Sequence, residues 1–235
     1  MAENPTSSVS GGAKTFDFFG VQRRSLYLFL IIDCSNSMQG EKIKSLNYAV
    51  RGALPAMKKA ADDNPEADVY IRVLTFSDGA SWRGPATPLH DVVWEDISAA
   101  GLTDLGAALS LLAEELDPAR LTGRILPPVL ILVSDGQPTD DFREGFAKLE
   151  SAPLCVAGAV RIAIAIGPDA DLQILQAFIG PDGGAPLDAR DAGELANRMR
   201  WASTVTIQAA GRGSLRDVLQ TGVAANPPDP FIWDS

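Results

Sequence analysis

Residues 26–37 read LYLFLIIDCSNS, an apolar run that ends on an aspartate followed by two serines. The run is short, rich in aromatic and β-branched side chains, and apolar on both faces, which is typical of a strand covered on both sides. Residues 69–76, 129–133 and 160–166 share these properties. The sequence therefore predicts at least four buried strands.

Apolar residues recur at helical spacing between and after these runs. The pattern predicts helices around 43–57, 105–116, 142–149, 172–179 and 195–199, and it lapses after Trp201. Strands that alternate with helices predict a doubly wound α/β domain, with a mainly parallel sheet and helices on both faces. Residues 77–96 are rich in turn residues and predict an antiparallel edge strand and a loop.

Three segments of different composition divide the 235 residues. Residues 1–22 are polar and rich in glycine and serine, so we predict a flexible N-terminal lead. Residues 23–204 contain the predicted domain. Residues 205–235 form a C-terminal extension, and we expect its Phe-Ile-Trp segment at 231–233 to dock either on this chain or on a partner.

The composition excludes several classes of function. With 20 basic and 30 acidic residues the net charge is −10, which disfavours binding to nucleic acid because phosphate contacts need clustered Lys and Arg. A single histidine, His90, and two distant cysteines exclude histidine-rich and thiolate zinc centres. Because no apolar run is long enough to span a membrane and no leader opens the sequence, we expect a soluble, cytoplasmic protein.

Oxygen-bearing side chains follow two of the predicted strands and precede one predicted helix. Asp33, Ser35 and Ser37 follow the first strand at a spacing of two, Asp135 follows the strand at 129–133, and Thr103 precedes the second helix. Each motif alone also fits a helix cap or a turn. Because ligands of open α/β sheets gather beyond the carboxyl ends of the strands, we expect the five side chains to converge. Their oxygens suit Mg²⁺, with Mn²⁺ or Ca²⁺ as alternatives, and zinc would be a poor match.

Together these motifs resemble the metal-ion-dependent adhesion site of the von Willebrand factor A domain. The resemblance rests on Asp33-x-Ser35-x-Ser37, on Thr103 in GLTDLGAAL (101–109) and on Asp135 in VSDG (133–136), and it spans residues 23–204. Within that superfamily the chain is similar to the bacterial TerY-like branch, which is named for tellurite resistance. That similarity rests on the segments at 128–142, 164–171 and 200–203.

The resemblance implies a six-stranded sheet of order 3-2-1-4-5-6, in which the strands that carry Asp33 and Asp135 are neighbours. It implies that Ser35, Ser37 and Thr103 coordinate Mg²⁺ directly, and that the two aspartates do so directly or through water. An Asp or Glu of a partner protein would complete the metal's shell. For TerY-like domains it further implies a protein kinase and a metal-dependent protein phosphatase as partners, in a stress or defence system.

The resemblance thus implies a metal-dependent protein-interaction module that works as an adaptor, and we expect it not to be an enzyme. Two other functions are alternatives. A Mg²⁺-dependent phosphohydrolase of the haloacid dehalogenase type also places a carboxylate after its first strand. That mechanism requires a second aspartate two residues after the first, as an acid and base, and this chain has Ser35 there. A well-placed lysine is also not evident in the sequence. The other alternative is a structural subunit with a vestigial metal site.

Several further residues have simpler interpretations. We expect acidic neighbours to raise the pKa of the Cys34 thiol, and we expect Cys155 to be a buried small apolar residue. His90 is interpreted as an ordinary loop residue. Asp140 and Asp141 are expected to cap the helix that follows them.

Overall fold

The computed structural model describes residues 23–181 and 183–212, and its centre is a mixed, mainly parallel eight-stranded sheet. The strands are β1 (Arg24–Asp33), β2 (Ala67–Ser77), β3 (Gly79–Trp82), β4 (Thr87–Pro88), β5 (Arg124–Ile125), β6 (Val129–Ser134), β7 (Val160–Ile166) and β8 (Leu187–Ala189). The main path runs β3-β2-β1-β6-β7-β8, while β4 pairs with β2 and β5 with β1. Counted along the chain, the six strands of that path have the order 3-2-1-4-5-6, so the predicted order is confirmed.

The edge strand β3 is antiparallel to β2, as the turn-rich stretch at 77–96 predicted. The helices are α1 (Glu41–Asp62), α2 (Leu105–Glu115), α3 (Phe142–Ser151), α4 (Pro153–Val156), α5 (Leu172–Ile179) and α6 (Ala192–Arg212). Helices α1 and α6 cover one face of the sheet, and α2, α3, α4 and α5 cover the other. Among the described residues, no helix is both long enough and apolar enough to cross a bilayer.

Strand β1 packs into both layers of the core because its side chains alternate between the two faces. Leu28 and Leu30 belong to the cluster under α1 and α6, whereas Phe29 and Ile31 belong to the cluster under α2 and α5. All four side chains are fully buried. This explains why the sequence of the strand is apolar at successive positions rather than at alternate ones.

The register of the central strands positions the candidate site. Strand β1 pairs with β6 up to Ile32 opposite Val133. Asp33 and Ser134 therefore end two adjacent parallel strands at the same edge of the sheet, and Asp135 follows directly. The convergence of the two carboxylates expected from the sequence is a consequence of this pairing.

Helix α6 extends further than the sequence analysis predicted. The helix does not end near Trp201, as the sequence pattern predicted, but runs to Arg212. It therefore continues past residue 204, the last residue of the predicted domain. Ser203 and Thr206 are fully buried, and their hydroxyls donate to carbonyls one turn earlier, at 2.7 and 2.8 Å. These polar residues therefore continue the packed face of the helix. The predicted lead at 1–22 and the segment at 231–233 lie outside the described residues.

Two of the remaining predictions concern single residues away from the sheet edge. Cys155, on the short helix α4, is half-buried rather than buried, although it packs against the core cluster under α2 and α5. His90 lies in an exposed turn, as expected of a loop residue, and its Nε2 is 3.1 Å from Asp62 Oδ1.

Candidate metal centre

The first part of the candidate centre is the loop that leaves β1. Asp33 is fully buried, and its Oδ1 accepts a hydrogen bond from the Ser35 amide at 2.9 Å. Its Oδ2 accepts a hydrogen bond from the Ser134 hydroxyl at 2.6 Å. Ser35 is buried, Ser37 is exposed, and their hydroxyl oxygens are 2.9 Å apart. The loop thus brings the two hydroxyls together and leads from the sheet edge to the surface.

The second part is the loop that carries Thr103, which is 5% exposed. Backbone hydrogen bonds from Asn36 to Gly101 (2.9 Å) and from Ala100 to the loop after β1 (2.8 Å) attach it on one side. On the other side, the Thr103 amide donates to Thr139 Oγ1 and the Thr139 amide donates to the Thr103 carbonyl, both at 2.9 Å. Thr103 is therefore held between the two loops that carry the aspartates.

The third part is the turn after β6, where Asp135 is fully buried. Its Oδ2 is 3.2 Å from Lys42 Nζ, and its Oδ1 is buried and has no hydrogen-bond partner among the described residues. The next residue, Gly136, has φ +69°, and a Cβ there would lie 2.7 Å from the Asp171 carbonyl oxygen. Glycine is therefore required for the close approach of this turn to the loop before α5.

The residues present fit a hard divalent cation. A buried carboxylate oxygen without a donor is costly, and a cation bound at Asp135 Oδ1 would provide the missing partner. Across residues 23–181 and 183–212 no three His, Cys, Asp or Glu side chains group together as metal ligands. Hydroxyl and carboxylate oxygens are the ligands that such ions take in proteins.

The electrostatics of the centre are dominated by burial. Burial raises the pKa of Asp33 and the nearby charge of Asp135 raises it further, whereas hydrogen bonds from Ser134 and Ser35 oppose the rise. The pKa of the Cys34 thiol is also raised, as expected, but burial is the main cause and the charge of Asp33 a lesser one. Cys34 is therefore not an activated thiol.

Lys42 is the first of two supporting residues that the sequence analysis missed. Its Nζ contacts Asp135 and Asp169 together. Burial lowers its pKa, but the hydrogen bonds and charges of Asp169 and Asp135 outweigh burial, so the pKa is raised. The sequence holds no local signal for this contact, because Lys42 lies 93 and 127 positions from the two aspartates.

Ser134 is the second missed residue, and here a signal was available. It ends a buried strand directly before Asp135, at the carboxyl edge where the other ligands were sought. Its hydroxyl oxygen also accepts a hydrogen bond from the Gly136 amide at 2.8 Å. Ser134 thus contacts both the turn after β6 and the carboxylate at the end of β1.

Asp140 and Asp141 have different partners, although the sequence analysis expected both to cap α3. Asp141 accepts a hydrogen bond from the Arg143 amide at 3.2 Å and caps α3 as expected. Asp140 instead accepts from the amides of Gly106 and Ala107, both at 2.9 Å, and so caps α2. The expectation was wrong for Asp140, because α3 packs so closely on α2 that the loop before α3 reaches the neighbouring helix.

Comparison with known proteins identifies related sequences. Residues 28–198 match the family described as the von Willebrand factor type A domain. The inter-alpha-trypsin inhibitor heavy chain H1 of Mesocricetus auratus is 29% identical over 160 residues, which are 63% of this chain and 17% of that protein. The chain therefore spans only a small part of the length of this relative.

Solved structures share the fold at low sequence identity. A von Willebrand factor type A protein from Catenulispora acidiphila has a TM-score of 0.58 at 18% identity, over 79% of this chain and 43% of that one. Proximal thread matrix protein 1 of the mussel byssus, with a zinc-occupied MIDAS motif, has a TM-score of 0.55 at 18% identity, over 77% and 48%. The pilus adhesin SpaC from Lactobacillus rhamnosus GG has a TM-score of 0.61 at 14% identity, over 81% and 32%.

Proposed function

The chain belongs to the von Willebrand factor type A domain family, and on that premise we propose that it is a protein-interaction module that works through a divalent cation. The proposed ligands are Asp33, Ser35, Ser37, Thr103 and Asp135. The observation that carries the proposal is the buried Asp135 Oδ1, which has no hydrogen-bond partner in the described part of the chain. Domains of this family typically bind protein ligands.

An acidic side chain of a partner is the proposed ligand of the cation. Three of the five protein ligands are neutral hydroxyls, so they leave part of the ion's charge available to an incoming carboxylate. Ser37 is exposed, which keeps one side of the centre open to a partner. We propose Mg²⁺ as the ion, with Mn²⁺ and Ca²⁺ as alternatives. A metal screen should include zinc, because zinc occupies the motif in the mussel protein.

Two exposed leucines border the centre and support a docking surface around it. Leu102 precedes Thr103 and is 56% exposed, and Leu172 follows Asp171 and is 52% exposed. Leu102 lies on the loop that carries Thr103. Leu172 begins α5, directly after Asp171, whose amide donates to the Asp135 carbonyl. We propose that the partner places apolar side chains beside its acidic one.

The cellular context is a finer part of the proposal. We propose a TerY-like stress or defence system in the cytoplasm, in which a protein kinase and a metal-dependent protein phosphatase are partners. Support comes from the TerY-like segments at 128–142 and 164–171, which here include β6, the end of β7 and the loops that carry Asp135 and Asp169. Affinity purification from the native host, with Mg²⁺ and with EDTA, tests it, and only proteins lost in EDTA count as partners of the metal centre.

The central experiment compares Asp33→Ala and Ser35→Ala with the wild type. Each variant should lose Mg²⁺ binding in calorimetric titration and partner binding in the pull-down, while circular dichroism shows a folded domain. Ser151→Ala is a matched control, because Ser151 lies on the exposed surface of α3 and should leave both unchanged. Full partner binding in EDTA would contradict the proposal.

A phosphohydrolase stays as the second candidate, because Lys42 does contact Asp135 although the sequence showed no well-placed lysine. A nucleophilic aspartate must reach its substrate. Asp33 is fully buried, and both its carboxylate oxygens accept hydrogen bonds, which argues against that role. Turnover of p-nitrophenyl phosphate that is lost in Asp33→Asn would reverse our ranking.

A further inference from the structure

Lys42 reaches the metal centre from the first turn of α1. Its Nζ is 3.2 Å from Asp135 Oδ2 and 2.9 Å from Asp169 Oδ1. The lysine side chain is only 19% exposed and Asp135 is not exposed at all, whereas Asp169 is 55% exposed. The ammonium group therefore pairs with one buried carboxylate of the proposed centre and one carboxylate at the surface.

A glycine directly after β7 leaves space for the Lys42 side chain. Gly167 has φ +88°, and a Cβ at that position would lie 2.6 Å from Lys42 Cε. A side chain at residue 167 would force the end of the lysine side chain to shift from this position. The glycine thus leaves the space through which Lys42 approaches Asp135.

The two oxygens of Asp135 have different surroundings. Oδ2 contacts Lys42, while Oδ1 is buried and receives no hydrogen bond from the described residues. The ammonium reduces the cost of burying this charged carboxylate, because a paired buried charge is far less costly than an unpaired one. A divalent cation at Oδ1 would share the carboxylate with the ammonium, and two positive charges a few ångströms apart repel each other.

We propose that Lys42 is a resident cation of the centre, a role that rests on the proposed function. It neutralises Asp135 before a metal arrives, so the domain folds without one. It also weakens metal binding by charge repulsion, and so sets the metal concentration at which the centre fills. The lysine is a positioning residue and not a metal ligand.

The test measures Mg²⁺ affinity and thermal stability in Lys42→Met. Without the ammonium, Mg²⁺ should bind about tenfold more tightly at alkaline pH, where protons compete least with the metal. The melting temperature should fall in EDTA, and its rise on addition of Mg²⁺ should exceed that of the wild type. Lys42→Arg keeps the charge and should resemble the wild type. Lys44→Met, in an exposed pair with Glu41 on the same turn, is the matched control.

Mg²⁺ affinity in Lys42→Met that equals or falls below the wild-type value would overturn the proposal. A second measurement does not depend on metal binding and separates this failure from failure of the proposed function. In EDTA, Lys42→Met should be destabilising in the wild-type background and much less so in Asp135→Asn, because the charge it compensates is gone. Equal losses in both backgrounds would overturn the pairing even if no variant binds Mg²⁺.

Discussion

Ser134 donates its hydroxyl hydrogen to Asp33 Oδ2 across 2.6 Å, from the end of one central strand to the end of its neighbour. The same oxygen accepts the Gly136 amide at 2.8 Å. One hydroxyl therefore fixes the position of the Asp33 carboxylate relative to the turn after β6 that carries Asp135. The candidate centre depends on this bridge as well as on its five proposed ligands.

Ser134→Ala removes the bridge and leaves two buried groups without a partner. We expect the free energy of unfolding to fall by about 1–3 kcal/mol, the usual cost of such a group. Mg²⁺ affinity should also fall, because Asp33 then keeps only the hydrogen bond from the Ser35 amide and is less firmly oriented. Chemical denaturation and calorimetry check the two effects. Unchanged Mg²⁺ affinity would show that the bridge serves stability alone.

The stability of the metal-free domain should depend on pH through Asp33. Burial raises its pKa above the ordinary 3.8, so the folded state favours the protonated carboxyl. The stabilisation is fully present below the unfolded pKa and is lost as the pH rises through the folded pKa. In EDTA, Asp33→Asn should therefore resist denaturant better than the wild type near neutral pH, with a gap that shrinks on acidification. A gap that does not change with pH would contradict this assignment.

Asp140→Ala should uncouple α2 from the loop before α3. The Asp140 carboxylate accepts from the amides of Gly106 and Ala107, in the first turn of α2 just after Thr103. Loss of this cap should lower the free energy of unfolding by about 1–2 kcal/mol. It should also weaken Mg²⁺ binding, because Thr103 can then move. Asp141→Ala is the control, because it removes a cap from α3 and not from α2. If the two variants lose Mg²⁺ affinity equally, the effect is not specific to Asp140.

Asn47→Ala should destabilise the domain without changing any of the five proposed metal ligands. The buried amide of Asn47 donates to the Ile97 carbonyl (2.9 Å) and accepts from the Ile97 amide (2.9 Å) and Trp94 Nε1 (3.1 Å). We expect a loss of about 2–3 kcal/mol in chemical denaturation, with Mg²⁺ affinity unchanged. Tyr48→Ala, at a position 58% exposed, should cost far less. Similar losses in both variants would contradict the role of the Asn47 hydrogen bonds.

Much of the fold follows from sequence pattern, because buried strands and amphipathic helices have clear periods. The four buried strands β1, β2, β6 and β7 and the start of α5 at Leu172 were predicted closely. The short elements β4, β5, β8 and α4 were not located, since two to four residues carry no period. The end of α6 was misjudged because Ser203 and Thr206 look like surface residues in sequence, yet bond within their own helix.

The candidate centre was predictable where it depends on strand ends and not where it depends on packing. Asp33 and Asp135 follow apolar runs, so the sheet alone brings them together. The contact of Lys42 with Asp169 depends on how α1 lies against the loop after β7, and the contact of Thr103 with Thr139 on how two loops meet. No local pattern encodes such relations.

The position of β1 between β2 and β6, with both faces covered, has a kinetic consequence. Its amide hydrogens should exchange with solvent only when the whole domain unfolds, whereas those of the surrounding loops exchange through local opening. Mg²⁺ that binds the folded state raises global stability, so slowed exchange in β1 would report that stabilisation, and any additional slowing at Gly101 or Gly136 would report ordering of the centre. The exchange rate of β1 thus serves as an internal reference for exchange in the loops at the sheet edge.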